Sequence, residues 1–499
     1  MAVASNIQIG QTPAVRHLGG MRTVWVTLAL YAAAFLCFFP KAITNYDEAF
    51  YVRQATAFSA GHATIDVVDP LTGGRRAALP SYYPLGASIL MAPLAWAGGW
   101  RAVFLLGLIT AVIAVVCTAK WIAESGGSPA YALIILGYAP TMVMSRVAMS
   151  DVPSACVVAA GLWMFWDEGK SHPWRRLFAG FLAGVSLCLR EVNPMLFAFF
   201  FAGALLRRER GVWALIVGGL TGVGCRLLGS YLVFGDPMFV MPHPGFTGEY
   251  ILQNLLIYAV ALLMMAPGGL IFALGYRGRR WPELICTVVF FTVLFVVYDY
   301  SASASGGLKK WVLAPRMFIP LLPILAFAMA HTAPRWFEAF TRSMSRQREL
   351  RWRRFGHAIV VSWLTGVALM SFLVGWGSIA WYKLHEQVIS ALYSHTDPNH
   401  PVLTDIPASV KFLNELHGQR MVADIVGISQ SDVRTLMYRH GEVDIVFIER
   451  DDSDYWAQAS RQNHTAVSAI SKQFPVRLAL EERFPGLGVL RIWKVMQRQ

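Results

Sequence analysis

The sequence predicts a polytopic α-helical membrane protein with a small α/β domain at its C-terminal end, and three observations support this fold class. First, 56% of the residues are hydrophobic and 15% are charged, which is more apolar surface than one soluble core can bury. Second, apolar runs close to the ~20 residues that span a bilayer recur along the chain. Third, the composition after residue 380 becomes mixed and charged.

Eleven apolar segments are the predicted membrane spans. They cover residues 23–40, 102–121, 129–148, 152–166, 177–190, 193–206, 212–234, 253–275, 282–299, 316–332 and 357–379. Basic clusters at 170–176, 207–210, 277–280 and 346–354 lie in short loops between these spans, which is the pattern of cytoplasmic loops. The net charge of +13 is therefore a topology signal, and no nucleic-acid partner is expected. With these loops in the cytoplasm, eleven spans place the N-terminus in the cytoplasm and the C-terminus outside.

The predicted spans divide the chain into two domains. Residues 1–380 form a transmembrane domain, in which residues 41–100 make a long extracytoplasmic loop. This loop has a helix-like opening, a turn region rich in Gly and Pro at 66–80, and an apolar stretch at 81–99. We expect that stretch to lie at the membrane surface as a helix or to re-enter the bilayer as a hairpin. Residues 381–499 alternate amphipathic stretches with short apolar runs, which predicts an extracytoplasmic α/β domain.

The common motifs of soluble enzymes are missing from the sequence. It contains no Walker loop, nucleophile elbow, HExxH motif or Rossmann glycine signature in a credible context. The six cysteines lie within or beside apolar runs as small hydrophobic residues, and no cysteine or histidine cluster has metal-ligand spacing. We therefore expect no cofactor, although neighbouring Asp and Glu side chains leave a divalent metal ion open.

Adjacent carboxylates, Asp47 and Glu48, follow the first predicted span in the stretch NYDEAFY. An ionised carboxylate in the bilayer costs up to roughly 3 kcal/mol, so its presence requires a partner or a chemical role. In a helix, Asp47 and Tyr51 share a face while Glu48 points about 100° away, so one carboxylate can serve a site while the other is structural. The alternative is a helix cap, because Thr44 and Asp47 fit the Ser/Thr-x-x-Asp/Glu pattern.

Two further polar positions are expected on the same outer face. Asp151 opens the fourth predicted span in the stretch SDVP, where a helix cap is the alternative interpretation. Arg190 lies at the tip of a hairpin between two short spans, which suggests a tip surrounded by protein instead of lipid. Pairing of Arg190 with Glu191 is the simpler explanation of that charge.

Three cations are also expected at the outer face, Lys309, Lys310 and Arg316. Snorkelling to lipid headgroups is the ordinary explanation for such cations. A phosphate site is the more specific one, because cations near a low-dielectric boundary bind phosphate oxygens strongly. His243 and Glu249 lie in another predicted outer loop within reach of such a site, although a loop histidine is more often incidental.

Five sequence features occur together between residues 23 and 335. They are a DEAxY segment after the first span, a Tyr-Pro-Leu turn before the second, Asp151 at the start of the fourth, Arg190 at the tip of the short hairpin, and PRMFIPLLP at the start of the tenth. This set resembles the polyprenyl-phosphate-dependent GT-C glycosyltransferases, and within them the aminoarabinose transferase and protein O-mannosyltransferase group.

The resemblance implies an inverting glycosyl transfer. A sugar would move from a polyprenyl-phosphate donor to a hydroxyl of a glycan, lipid or protein acceptor, and we expect the site to face the periplasm from a bacterial inner membrane. By the same resemblance, Asp47 is the general base, and Asp151 holds the acceptor or orients the base. The expected donor or acceptor contacts are Glu48, Tyr51, Tyr82, Tyr83, His243 and Glu249. The expected lipid-phosphate contacts are Arg190, Lys309, Lys310, Arg316 and Arg76.

One departure from the family concerns the turn before the second span. Aminoarabinose transferases have Lys-Pro-Pro-Leu where this chain has YYPL at 82–85. The phosphate contact of that lysine is therefore expected from Arg76, Lys309 or Lys310 instead, and the departure argues against aminoarabinose as the sugar.

The short list of candidate residues is consistent with transfer from a phosphate. A phosphate leaving group stabilises its own negative charge, so one general base and several cations are enough to catalyse the transfer. A glycoside hydrolase needs a second carboxyl group, which protonates the leaving oxygen. The competing class is a polytopic transporter or lipid flippase, for which charges within the membrane are equally expected. Transporters usually place those charges near the midplane, and this chain gathers them at one outer face.

Overall fold

The computed structural model describes residues 20–166, 172–240, 245–246, 248–298, 314–342, 344, 346–405, 412–413, 420–450 and 454–497. Three of the predicted site residues, His243, Lys309 and Lys310, lie outside the described residues.

Helices dominate the chain between residues 21 and 395. They are α1 (Met21–Cys37), α2 (Tyr46–Ser59), α3 (Leu85–Gly98), α4 (Leu105–Glu124), α5 (Ile134–Gly137), α6 (Ala139–Met144), α7 (Asp151–Phe165), α8 (Pro173–Val185), α9 (Met195–Leu206), α10 (Val212–Phe234), α11 (Ile251–Val260), α12 (Gly269–Leu274), α13 (Trp281–Val296), α14 (Leu322–Thr341) and α15 (Arg346–His395). Every predicted span overlaps at least one of these helices. In the described part of the chain, four helical stretches are long and apolar enough to cross a bilayer, namely Trp100–Glu124, Val212–Phe234, Ala314–Thr341 and Leu350–His395.

Two of the predicted spans are wrong as continuous helices. Segment 129–148 is divided into a 3-10 turn, α5 and α6. Pro140 lies in the first turn of α6, where its missing N–H costs nothing, and it cannot continue the preceding helix. Segment 253–275 is interrupted by a π-helical turn at Ala261–Met265 and by Gly268, whose φ of +71° is left-handed. The number of membrane crossings therefore stays a prediction.

Helices α8 and α10 pack closely through small residues. Gly180 and Gly184 of α8 face Gly218 and Gly222 of α10, and a Cβ atom at any of these positions would collide with the backbone of the other helix. Glycines of this spacing let membrane helices approach each other closely. The contact fixes the end of α8, from which the chain continues to Arg190.

The loop predicted at residues 41–100 contains α2, a hairpin and α3. Strands β1 (Ile65–Val68) and β2 (Arg75–Ala78) pair antiparallel, with Ile65 opposite Ala78. The turn region predicted at 66–80 is therefore a two-stranded hairpin. The apolar stretch that follows forms α3, and its position at the membrane surface stays a prediction.

A five-stranded sheet and two helices follow residue 400. They are β3 (Val402–Thr404), β4 (Val422–Asp424), α16 (Gln430–His440), β5 (Glu442–Glu449), α17 (Asp454–Ser471), β6 (Val476–Phe484) and β7 (Gly488–Met496). The strand order in the sheet is β4-β3-β5-β7-β6. Strand β3 pairs in parallel with β4 and β5, whereas β7 is antiparallel to β5 and β6. One apolar cluster joins the sheet to α15, and a second joins it to α16 and α17.

Helix α15 connects the membrane part to this sheet. It has 50 residues, which corresponds to a length of about 75 Å at 1.5 Å per residue. Its last turns carry Val388 and Leu392 into the apolar cluster of the sheet. The division of the chain into two domains stays a prediction, but the predicted boundary at residue 380 lies inside this continuous helix and no linker separates the two parts there.

Candidate active site

Helix α2 begins with a capping box that uses the side chain of Glu48 and not the side chain of Asp47. The N-cap residue is Asn45, whose Oδ1 accepts a hydrogen bond from the backbone N–H of Asp47 at 3.1 Å. Glu48 Oε2 accepts from the N–H groups of Thr44 and Asn45 at 2.8 and 3.3 Å, and its Oε1 accepts from the N–H of Ala148 at 2.7 Å. Glu48 is 0% exposed. A carboxylate that is buried and bonded to backbone donors has a structural role, so the predicted contact of Glu48 with a substrate gains no support.

The side chain of Asp47 is therefore not used by the helix cap. Its Oδ1 accepts a hydrogen bond from the Tyr83 hydroxyl at 2.6 Å. Its Oδ2 lies 3.7 Å from Nη2 of Arg316. The Asp47 side chain keeps 20% of its surface exposed, against 6% for Arg316. Asp47 is thus oriented by a neutral donor and a guanidinium group, and it remains partly open to a ligand.

Asp151 begins α7 and pairs with Arg190. Nη1 of Arg190 donates to Asp151 Oδ1 at 2.8 Å, and the Asp151 side chain is 1% exposed. Ser150 is the N-cap residue and makes no side-chain cap. The other carboxylate oxygen of Asp151, Oδ2, is buried and has no hydrogen-bond partner among the described residues. A buried acceptor without a donor is costly, so the Asp151 carboxylate depends on the charge of Arg190 for its stabilisation.

Two methionine sulfurs lie against the two arginines. Nη2 of Arg190 contacts Met317 Sδ at 3.0 Å, and Nη1 of Arg316 contacts Met149 Sδ at 3.6 Å. The charges of Asp47, Asp151 and Arg190 all act on the Tyr51 hydroxyl, so the two ion pairs adjoin. A thioether is a weak acceptor, so phosphate oxygens would compete well for these N–H groups. Neither methionine is predicted from the sequence, since a methionine in an apolar run gives no signal that separates it from an ordinary core residue.

Buried polar contacts fix the backbone around the ion pairs. The Tyr138 hydroxyl donates to the carbonyl of Pro315 at 2.9 Å and so holds the turn that carries Arg316. Nδ2 of Asn193 donates to Ser154 Oγ at 2.9 Å, which ties the hairpin after α8 to α7. Tyr138 and Asn193 are both 0% exposed. The positions of the two arginines are therefore set by buried supports as well as by their own ion pairs.

Two other predicted tyrosines differ in their surroundings. Tyr51 is 3% exposed, and its hydroxyl donates to Ser150 Oγ at 3.4 Å. Its ring centroid lies 5.0 Å from that of Tyr83. Burial raises the pKa of Tyr51, so its phenol stays protonated and serves as a donor. Tyr82 is 51% exposed, and its ring lies 6.4 Å from that of Phe239, so a role for Tyr82 at the site stays a prediction.

The remaining predicted contacts lie on the surface. Arg76 is exposed on β2, and Glu249 is exposed in the turn before α11. No hydrogen bond or ion pair joins Arg76 to Asp47 or Asp151 in the part of the chain that the structure describes. The roles of Arg76 and Glu249 therefore stay predictions.

The candidate site is defined here as Asp47, Tyr83, Asp151, Arg190 and Arg316. It combines two carboxylates with two guanidinium groups in partly buried surroundings, where charges interact more strongly than at an exposed surface. It offers a proton acceptor, a neutral donor and two cations that can bind an anion. Among the described residues, no group of three or more His, Cys, Asp or Glu side chains is placed to hold a metal ion.

Comparisons with known proteins identify the fold. No family model and no curated protein matches the chain. Among solved structures, the crystal structure of ArnT from Cupriavidus metallidurans bound to undecaprenyl phosphate matches with a TM-score of 0.61 at 11% sequence identity. The match covers 94% of this chain and 97% of that chain. The chain therefore has an ArnT-like membrane fold. This confirms the predicted helical membrane architecture, while the number of spans and the C-terminal α/β domain stay predictions. At this identity the match establishes the fold and not the reaction.

Proposed function

We propose that the protein is a membrane glycosyltransferase that moves a sugar from a polyprenyl-phosphate donor to a hydroxyl acceptor, with inversion, at the extracytoplasmic face. The observation that carries this proposal is the Asp47–Arg316 contact adjoining the Asp151–Arg190 ion pair, at the start of α2 and α7. The shared fold adds support, because the ArnT crystal structure was obtained with undecaprenyl phosphate bound. That lipid has the chemistry of the proposed leaving group.

Asp47 acts as the general base in this proposal. The acceptor hydroxyl gives its proton to the Asp47 carboxylate while its oxygen attacks the anomeric carbon. The bond from that carbon to the phosphate oxygen breaks, and its electron pair leaves on the phosphate. Attack from the face opposite the leaving group inverts the anomeric configuration. Partial exposure of Asp47 supports this role, because the acceptor must reach the carboxylate.

Arg190 and Arg316 bind the lipid phosphate in this proposal. Guanidinium groups match phosphate oxygens in geometry and charge, and preorganised cations stabilise the charge that develops as the phosphate leaves. Their present sulfur contacts are weak enough to be replaced. We propose Arg76, Lys309 and Lys310 as further phosphate contacts.

Asp151 has two tasks in the proposal. It holds Arg190 through one carboxylate oxygen, and it holds the acceptor or orients the base. The buried Tyr51 supplies a donor near the same place. We propose Tyr82, His243 and Glu249 as outer contacts to donor or acceptor.

The membrane supplies the donor, since a polyprenyl chain is confined to the bilayer and needs no soluble nucleotide site. We place the reaction at the periplasmic face of a bacterial inner membrane, with a glycan, lipid or protein as acceptor. The extracytoplasmic α/β domain is then on the same side as the site.

Reconstitution in liposomes tests this function. The wild-type protein and Asp47→Asn are supplied with a panel of radiolabelled polyprenyl-phosphate sugars and with lipid, glycan and peptide acceptors. We expect transfer by the wild type, inverted configuration of the product by NMR, and loss of transfer in Asp47→Asn. Transfer that is unchanged in Asp47→Asn would refute the assignment of the base. Saturable flux of a solute without any transfer would favour the transporter instead.

A further inference from the structure

The tip of the β1–β2 hairpin is docked on the C-terminal sheet domain. The side chain of Leu71 packs against the apolar cluster that includes Val433, Leu436 and Met437 of α16. A ring nitrogen of His440, at the end of the same helix, lies 3.4 Å from the carbonyl of Pro70. The outer loop therefore contacts a part of the chain that lies more than three hundred residues further on.

The turn at the tip is well ordered by its own hydrogen bonds. Asp69 Oδ1 accepts from the N–H of Leu71 at 2.9 Å, and the carbonyl of Asp69 accepts from the N–H of Gly73 at 2.7 Å. Gly73 has a φ of +67°, a left-handed conformation that glycine adopts without strain. The turn thus presents Leu71 in a fixed direction.

The other end of the same segment reaches the candidate site. After β2, Ser81 is 1% exposed, and its Oγ accepts from the N–H of Tyr83 at 3.0 Å. The Tyr83 ring lies between those of Phe50 and Tyr51, with centroids 5.8 and 5.0 Å away. Its hydroxyl donates to Asp47 Oδ1. A short, hydrogen-bonded stretch therefore connects the docked tip to the carboxylate of Asp47.

We infer that the C-terminal domain positions Tyr83 against Asp47 by holding the hairpin at Leu71. A two-stranded hairpin by itself is marginally stable in water, and the strands of this one are four residues each with mostly exposed side chains on β2. Docking of Leu71 adds the apolar contact that such a hairpin lacks. Leu71 is thereby a positioning residue, and the C-terminal domain takes part in the reaction without touching the substrate.

The expected effect on kcat rests on the proposed function. The expected loosening of the segment that carries Tyr83 rests on the structure alone. If the hairpin loosens, Tyr83 leaves Asp47 for part of the time and the base loses its orientation. The catalytic step then slows, while binding of the donor by Arg190 and Arg316 is unaffected.

The test uses full-length protein in lipid nanodiscs with three variants. Leu71→Ala removes the docked side chain, and Leu71→Met restores an apolar side chain of similar volume. Leu478→Ala is the matched control, because Leu478 lies in the same domain and is 45% exposed. Hydrogen exchange of the segment 65–84 is measured by mass spectrometry, together with kcat and KM for the lipid donor.

We expect Leu71→Ala to raise exchange in 65–84 by about tenfold, since exchange follows the population of the open form. We expect kcat to fall by a similar factor with KM unchanged, and Leu71→Met to restore both quantities. Leu478→Ala should leave both as in the wild type.

Unchanged exchange of residues 79–84 in Leu71→Ala would overturn the inference, and so would raised exchange with an unaltered kcat. Absence of any transfer by the wild type would overturn the proposed function instead, and the exchange measurement would still decide whether Leu71 holds the segment that carries Tyr83.

Discussion

The hydroxyl of Tyr83 donates a 2.6 Å hydrogen bond to Oδ1 of Asp47, although the two residues are 36 positions apart in the chain. The bond occupies one oxygen of the carboxylate and leaves Oδ2 beside Arg316. In the proposed reaction, Oδ2 is therefore the oxygen that takes the proton of the acceptor, close to the cation that binds the leaving phosphate.

Replacement of the base is the most direct prediction. Asp47→Asn keeps the size of the side chain but cannot accept a proton at neutral pH, so we expect kcat to fall by about 10³-fold, within the range for loss of a general base. The measurement is transfer of radiolabelled sugar in liposomes. Asp66→Asn is the matched control, because Asp66 is an exposed carboxylate in the same outer loop. Equal loss in both variants would show that the effect is not specific to Asp47.

Removal of the Tyr83 hydroxyl separates orientation of the base from substrate binding. Tyr83→Phe keeps the ring contacts with Phe50 and Tyr51 but removes the hydrogen bond to Asp47. A hydrogen bond to a charged group contributes roughly 1.5 to 3 kcal/mol, so we expect kcat to fall by about 10- to 100-fold with little change in KM. Tyr231→Phe, on an exposed tyrosine of α10, should behave as the wild type. A raised KM with normal kcat would assign Tyr83 to substrate binding.

Breaking the Asp151–Arg190 ion pair on one side should destabilise the protein. Arg190→Gln leaves the buried Asp151 carboxylate without its cation, which typically costs about 3 to 5 kcal/mol. The double variant Asp151→Asn/Arg190→Gln removes the charge as well, so we expect it to be more stable than Arg190→Gln alone. Thermal unfolding in detergent micelles measures both. The single variant Asp151→Asn completes the cycle. If the losses of stability in Arg190→Gln and Asp151→Asn simply add in the double variant, the pair is not coupled as the structure indicates.

The sequence predicts a polar site at the outer face, and the structure adds which of the two adjacent acids caps helix α2. A helix start near Thr44 was visible in the pattern, but the cap falls on Asn45. That shift of one residue gives the cap to the Glu48 side chain, and the Asp47 carboxylate instead accepts from the Tyr83 hydroxyl. Spacing of two adjacent acids cannot decide between these arrangements, because either acid satisfies a capping pattern within one residue.

Contacts between distant segments were beyond prediction for a different reason. Hydropathy locates helices, and each predicted span overlaps a helix of the structure. Hydropathy carries no information on where a helix is interrupted or on which side chains contact each other. The pairing of Asp151 with Arg190 and the docking of Leu71 depend on tertiary packing. Met149 and Met317 could not be identified because their sequence pattern is that of core residues.

A second charged cluster joins residues of three of the predicted cytoplasmic loops. Nη2 of Arg280 donates to both carboxylate oxygens of Glu209, at 2.8 and 2.7 Å, and Arg176 donates to Oε2 at 3.0 Å. The basic residues of the predicted cytoplasmic loops therefore also have a structural role, since they hold α8, α13 and the loop after α9 together through one carboxylate.

The pH dependence of stability should report on Glu209. Burial by itself would raise the pKa of Glu209, but the hydrogen bonds and charges of Arg280 and Arg176 outweigh it and lower the pKa to about 2. The stabilisation is thus complete above the pKa of a carboxyl group in the unfolded chain, about 4.3, and is lost as the pH falls toward the folded value. We expect Glu209→Gln to lower the apparent melting temperature at pH 7, because it removes the carboxylate that the arginines stabilise. The difference from the wild type should shrink as the pH falls below about 4.3. Glu482→Gln, on an exposed strand position, serves as control. A difference that stays constant from pH 7 to pH 3 would show that Glu209 acts through packing and not through its charge.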